Sequence, residues 1–264
     1  KNKKISSSIF NTKIKKIKIK IPRPKLWSIE QPNLYDFVFT LISEKNNKTL
    51  DRVKSYGGMR SIEVKKNKVY LNNKPLYQRL VLDQGFYPDG IWTAPTDKAL
   101  KNDIILSMKA GFNGARLHEK VFEDRFHYWA DKLGYITWAE WGNWGANENA
   151  KGTETAFMHE WPKIVEHLKN HPSIITWTPF NETNTLECNA QHKKLMRLAY
   201  DVTKKIDPTR PVNETSGYQH QKTDIWTVHH YEPKPDKLMK ALNPKKGVYR
   251  NFPKFETSYK NQPY

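Results

Sequence analysis

Cysteine is nearly absent: Cys188 stands alone in 264 residues. A disulfide framework within the chain is therefore excluded and stability must come from a buried core, although one thiol does not decide the redox compartment. Long apolar runs are missing too. None approaches the ~20 residues that a membrane-spanning helix needs, no secretory signal pattern is visible, and a membrane is not an expected partner. Acidic residues are the minority charge, 27 against 45 Lys and Arg, which leaves a net charge of +18. Such an excess ordinarily points to nucleic acid or an anionic surface. Here it is mostly lysine scattered along the chain, dense only near the amino end, and no nucleic-acid motif accompanies it. Nucleic acid is not expected either. No glycine-rich phosphate loop follows the first apolar strand, which removes the main support for a dinucleotide-binding fold. Metal spacing is also wanting. His159-Glu160-Trp161-Pro162-Lys163 ends in lysine where the zinc-protease pattern needs a second histidine, and His229-His230 would point to opposite faces of a regular strand.

What is present is a globular composition, with 37% hydrophobic residues and nine tryptophans, in a length that suits one large domain or two smaller ones. Ile14, Ile17, Ile19 and Ile21 stand among lysines in near-alternation, which predicts a strand with one buried face, ended by Pro22-Arg23-Pro24. Phe37, Phe39 and Leu41 predict a second strand, Lys45 to Lys48 a turn, and Val53 to Ile62 a further extended piece. Residues 1–62 read as the later strands of a small β-sandwich, too few to close one alone.

From Ile62 the pattern changes. The turn Asn72-Asn73-Lys74 leads into an apolar strand, Leu76 to Leu82, that ends in Asp83-Gln84-Gly85. Thr96 is placed to cap a helix carrying Leu100, Ile104, Ile105 and Met108, with Gly111 as its stop. Strands at Asn113 to His118, Tyr135 to Trp141 and Ser173 to Glu182 then alternate with helical stripes. The stripes are Phe126, Trp129, Ala130 and Leu133 (closed by Gly134), Phe157, Trp161, Ile164, Val165 and Leu168, and Leu195, Leu198, Ala199, Val202 and Ile206. Further strands are expected near Pro211 to Thr215 and over Asp224 to Tyr231. Short connections between alternating strands and helices predict a parallel α/β sheet over residues 63–264. Six strands fit either an open sheet or an incomplete barrel.

The stretch Ser173 to Glu182 reads as a strand covered on both faces, broken at Pro179, with Asn181 and Glu182 emerging at its carboxyl end. In a parallel barrel that end is where loops gather substrate, so an acid there is more often chemical than structural. Other strand ends offer Asp83, Arg116, His118, Glu140, His229 and Tyr231 to the same face. Trp138, Trp141 and Trp144 are candidates for a stacking platform.

Several motifs occur in one order: Pro24-Lys25-Leu26-Trp27 with Pro32-Asn33-Leu34-Tyr35, then Tyr56-Gly57-Gly58-Met59-Arg60, Leu71-Asn72-Asn73-Lys74-Pro75 and Trp177-Thr178-Pro179-Phe180-Asn181-Glu182. Together they resemble glycoside hydrolase family 2, the family of β-galactosidases, β-glucuronidases and β-mannosidases. Leu82-Asp83-Gln84-Gly85 and Tyr128-Trp129-Ala130-Asp131-Lys132-Leu133-Gly134 are similar to one branch of it.

The resemblance implies an immunoglobulin-like β-sandwich followed by a (β/α)8 TIM barrel. The expected fold is thus α/β: an incomplete TIM barrel of six strands (63–264) after part of a sandwich (1–62). It also implies retaining hydrolysis of terminal β-linked sugars, a β-glycoside as partner, and no organic cofactor. Such chemistry uses two carboxyl groups about 5 Å apart, one attacking the anomeric carbon, the other protonating the leaving oxygen. Glu182 matches the acid/base that ends strand four, and its pKa is expected to be held up. Asn181 would meet the sugar 2-hydroxyl, Arg116 and Tyr231 the nucleophile, and Asp83 and His118 other hydroxyls. The nucleophile would end strand seven. Asn261-Gln262-Pro263-Tyr264 resembles the segment just before that strand, so the nucleophile is expected after Tyr264 and these 264 residues alone are expected to be inactive. Glu214, in Asn213-Glu214-Thr215, and Glu256 are the weaker candidates. A non-catalytic carbohydrate-binding protein on the same scaffold is the competing expectation.

Overall fold

In the computed structural model, which describes residues 4–14, 16–183 and 187–264, apolar alternation becomes strand only where a neighbour supplies hydrogen bonds. β1 (Tyr35–Ile42) and β2 (Thr49–Gly57) form an antiparallel hairpin, closed by a 2.9 Å bond from Ser43 N to Lys48 O. The isoleucines upstream do not make the expected strand. Ile14, Ile17 and Ile19 are exposed, and no strand pairs with them among the described residues. β3 (Ile62–Lys65), β4 (Lys68–Leu71) and β5 (Lys74–Pro75) form a small antiparallel sheet. Its second turn needs two left-handed residues, and Asn72 and Asn73 take φ of 51° and 64°.

The chain then alternates: β6 (Leu80–Asp83), α1 (Asp97–Lys109), β7 (Gly114–Leu117), α2 (Asp124–Leu133), β8 (Ile136–Glu140), α3 (Lys151–Leu168) and β9 (Ile174–Thr178). The four strands lie parallel in the order β6-β7-β8-β9. Sequential order without reversal is an arc of a barrel, whereas a doubly wound sheet reverses at a switch point. The residues thus fold as a partial TIM barrel.

Pro179 interrupts the next edge. β10 (Phe180–Asn181) pairs parallel with β11 (Thr215–Ser216) across α4 (Ala190–Ile206), and a bridge joins Trp177 to Val212. The expected strand six is absent from the ladder. Asp224 N still reaches Val212 O at 2.9 Å, but the amides after it find other partners: Ile225 N reaches Thr223 Oγ1, Trp226 N reaches Pro263 O, Thr227 N reaches His220 Nε2 and His229 N reaches Asn251 Oδ1. A short helix that the pattern did not predict, α5 (Pro235–Ala241), follows; proline at its first position needs no amide partner.

Among the described residues, three cores hold these layers. α1 and α2 cover β7 through Leu100, Ile104, Phe126 and Ala130, and α3 and α4 cover β8 and β9 through Phe157, Trp161, Leu195 and Met196. The third joins Trp27, Ile62, Val69 and Leu71 to Ile136, Trp138 and Ile175, so the amino-terminal sheet packs on the inner face of the arc. A bulge at Ile175, which Thr137 and Trp138 straddle by pairing with Ile174 and Thr176, turns Ile175 inward and Trp177 outward.

Candidate active site

Register decides which strand ends share a face. Arg116 pairs with Trp138, so both point to the inner side, and Glu140 lies there two residues on. Glu140 is 1% exposed and ion-paired to Arg116. Burial pushes its carboxyl up to about 7, against the pull of the guanidinium. The Arg116 Nη1 also donates to Asn181 Oδ1 at 3.1 Å. Asn181 is clasped through its backbone by Asn143: its amide donates to Asn143 Oδ1 at 2.8 Å and its carbonyl accepts from Asn143 Nδ2 at 2.9 Å.

Glu182 follows with φ of 32°, in the left-handed region. A non-glycine residue there is held by its surroundings, and here its amide donates to Ser216 O at 3.0 Å. Its Oε1 accepts from Tyr231 Oη at 2.5 Å and from His229 Nδ1, and Tyr218 also hydrogen-bonds the carboxylate. Ser216 Oγ lies 3.1 Å from His229 Nε2. A neutral ring that donates from Nδ1 must accept at Nε2, which a serine hydroxyl can supply. Gly217 makes room for the ring: a Cβ there would sit 2.7 Å from it.

The electrostatics reverse one expectation. Burial raises the Glu182 carboxyl, but the bonds from Tyr231 and His229 and the charge of Arg116 outweigh it and hold the group below the usual glutamate value. The carboxylate is therefore anionic and ready to accept a proton. The Tyr231 phenol is pushed up to about 12 by the same bond. Burial and then the Arg116 charge lower His118 to about 4.

Of the eight residues read from the sequence, Arg116, Glu140, Asn181, Glu182, His229 and Tyr231 are joined by direct bonds or one shared partner. His118 stands at the edge, its Nδ1 3.3 Å from Gln84 Nε2. Asp83 is placed apart. Its register partner is Leu117, of the helix-facing core, and its carboxylate accepts from Gly85 N at 2.8 Å. Two of the three tryptophans are also spoken for: Trp138 and Trp141 are buried, with Nε1 on Gln78 and Glu160, whereas Trp144 is 84% exposed. Glu214 and Glu256 bind their own loops. Glu214 meets His220 and the amides of Gln221 and Lys222, and Glu256 meets Arg250 and the amide of Phe252. Sequence reading missed Glu119, Asn143, Ser216 and Tyr218. Glu119 and Asn143 lie just past the ends of β7 and β8, which is the signal that applied to Glu182 as well.

A family model described as "Glycosyl hydrolases family 2, TIM barrel domain" matches residues 62–261, and one described as "Glycosyl hydrolases family 2" matches residues 1–60. The chain belongs to glycoside hydrolase family 2. Within the family, it is 29% identical over 218 residues to a β-galactosidase of Photobacterium profundum, covering 78% of this chain and 20% of that protein. It is 32% identical over 221 residues to a β-galactosidase of Pseudoalteromonas haloplanktis, with the same coverage. A crystal structure of Parabacteroides merdae β-glucuronidase superposes with a TM-score of 0.73 at 19% identity, over 88% of this chain and 31% of that one, so the fold is shared. The chain spans about a fifth of the length of the curated relatives it matches.

Proposed function

We propose that this family 2 chain carries the acid/base half of a retaining exo-β-glycosidase that cleaves terminal β-linked sugars of the galactoside or glucuronide type. The observation that carries this reading is the convergence on Glu182. The carboxylate ends a buried strand, holds Tyr231 and His229 on one oxygen, and follows an Asn181 whose amide is fixed by Arg116. Asn181 then reads the sugar 2-hydroxyl and Glu182 gives and takes the proton at the glycosidic oxygen. The second carboxylate is proposed to lie outside these 264 residues, in a barrel whose boundary with the amino-terminal sandwich falls near residue 62. Glu214 and Glu256 are consumed by local bonds, which supports that placement.

The depressed Glu182 fits the proton-accepting half of the reaction. A nucleophile anion placed alongside would raise it toward the proton-donating state. The same depression is the observation that favours a sugar-binding protein without turnover, so the test must separate the two. In the whole protein, Glu182→Gln is expected to slow hydrolysis of a methyl β-glycoside by about 10²–10⁴-fold. A nitrophenyl β-glycoside, whose leaving group needs little protonation, should be slowed less. Equal loss on both substrates, or none, removes the acid/base role. The 264-residue chain alone is expected to release no nitrophenol from either the galactoside or the glucuronide, and turnover by it would place the nucleophile within these residues.

A further inference from the structure

We propose that Glu119 is a positioning residue that sets the orientation of the Asn181 amide. Its part in a reaction rests on the glycosidase reading above, while its part in the geometry does not. Glu119 stands two residues beyond β7 with φ of 56°, a conformation that costs a non-glycine residue about 1–2 kcal/mol. Such strain persists where the surroundings over-determine it, and here they do. Its amide donates to Glu140 Oε2 at 3.0 Å. Its own Oε2 accepts from Asn143 N at 2.6 Å and from Trp144 N at 2.9 Å. Gly142 lets that loop close in, since a Cβ there would lie 2.9 Å from Glu119 O.

The consequence falls on Asn181. Its side chain hydrogen-bonds the Glu119 carboxylate and its Oδ1 accepts from Arg116. An anion thus faces the NH₂ end and a cation faces the oxygen end. A flipped amide would put NH₂ against the guanidinium and oxygen against the carboxylate, repulsive at both ends. Glu119 also acts a second time, through Asn143, whose amide hangs on Glu119 and whose side chain clasps the Asn181 backbone. The hydrogen-bonding edge beside Glu182 is therefore arranged before any ligand arrives, which is the form of preorganisation that favours a developing charge. A carboxylate is needed for this, because it accepts from the loop amides and from Asn181 together.

The test is ¹⁵N NMR on the 264-residue chain and its variants Glu119→Gln and Glu119→Ala, with Asn181→Asp to assign the side-chain amide. In the wild type, the Asn143 and Trp144 amides are expected to exchange at least tenfold more slowly than in Glu119→Ala, and the two Asn181 Nδ2 protons to be well separated. Glu119→Gln keeps one oxygen for the two loop amides and so retains their protection, but it puts an NH₂ group against Asn181. The Asn181 pair should then collapse to the free-amide position while β9 amides stay protected. An unmoved Asn181 pair in Glu119→Gln overturns the proposal, because a residue needed only for the turn leaves that signal in place. Glu119→Gln alone decides if Glu119→Ala does not fold. No glycoside enters this measurement. A chain whose Asn181 pair responds as expected keeps the positioning role even if Glu182→Gln in the whole protein slows both glycosides equally, the outcome that removes the acid/base role.

Discussion

Around Glu182, individual side chains set charge states that composition cannot. Glu140 and Glu182 are driven in opposite directions, and linkage fixes the sign of each effect on stability. Burial raises Glu140 to about 7, so the folded chain binds that proton more tightly than the unfolded one. Its contribution is present below the ordinary glutamate value of about 4.3 and is lost as pH rises through about 7. Glu182 is depressed by its bonds despite burial. Its contribution is present above the ordinary value and lost as pH falls through its folded pKa. Urea midpoints measured from pH 3 to 8 should show Glu140→Gln flattening the loss on the neutral side and Glu182→Gln flattening it on the acid side. The reverse assignment would refute both directions. Gly217 is the other residue with a single physical reason. It combines φ of 71° with a ring 2.7 Å from where a Cβ would stand. Gly217→Ala is expected to cost about 1–3 kcal/mol and to release His229, whose imidazole pKa, lowered by burial and Arg116, should rise in an NMR titration.

At the level of elements, helix ends were legible because they are local chemistry. Thr96 caps α1 by accepting from Ala99 N at 3.1 Å, and Gly134 ends α2 with φ of 75°. Thr96→Ala should lower stability by about 1 kcal/mol. Gly134→Ala should cost more, at least about 2 kcal/mol, because the added Cβ would lie 2.2 Å from Ile29 O in addition to straining the backbone. Thermal melts of the two variants check the ranking, and equal shifts would show that Ile29 yields freely. Strands were less legible. The alternation at Ile14 to Ile21 and the apolar run at 224–231 both suggested ladders, yet a strand needs a neighbour and neither segment states whether it has one. In the second case side chains of Thr223, His220 and Asn251 take the amides instead.

Across the whole molecule, the β1–β2 hairpin and the barrel arc are fastened at a buried carboxylate. Asp131, fully buried, accepts from Ser173 N at 2.9 Å, Tyr56 Oη at 2.8 Å and His171 Nδ1 at 2.6 Å. Beside it the Trp27 indole donates to the Asp131 carbonyl at 2.8 Å, and Arg60 reaches Pro172 O and Ile174 O. Asp131→Ala leaves three donors without an acceptor and is expected to cost about 3–5 kcal/mol, against about 1 kcal/mol for Tyr56→Phe. The double variant should fall short of the sum, since the two share one bond. Additivity in urea unfolding would show that Tyr56 and Asp131 do not act together.

The sequence by itself determined the strand–helix alternation, the caps, and the place of Glu182 directly after a buried strand. Each of these follows from residue periodicity or from chemistry within a few positions. Only the tertiary structure decided the rest. Sequential strand order made the sheet a barrel arc. Register turned Arg116 and Glu140 inward and Asp83 toward the helices, because a strand's faces alternate and one residue of offset exchanges them. The charge on Glu182 likewise came from His229 and Tyr231, 47 and 49 positions away. Proximity of that kind is a property of the packed chain, and no local pattern of residues records it.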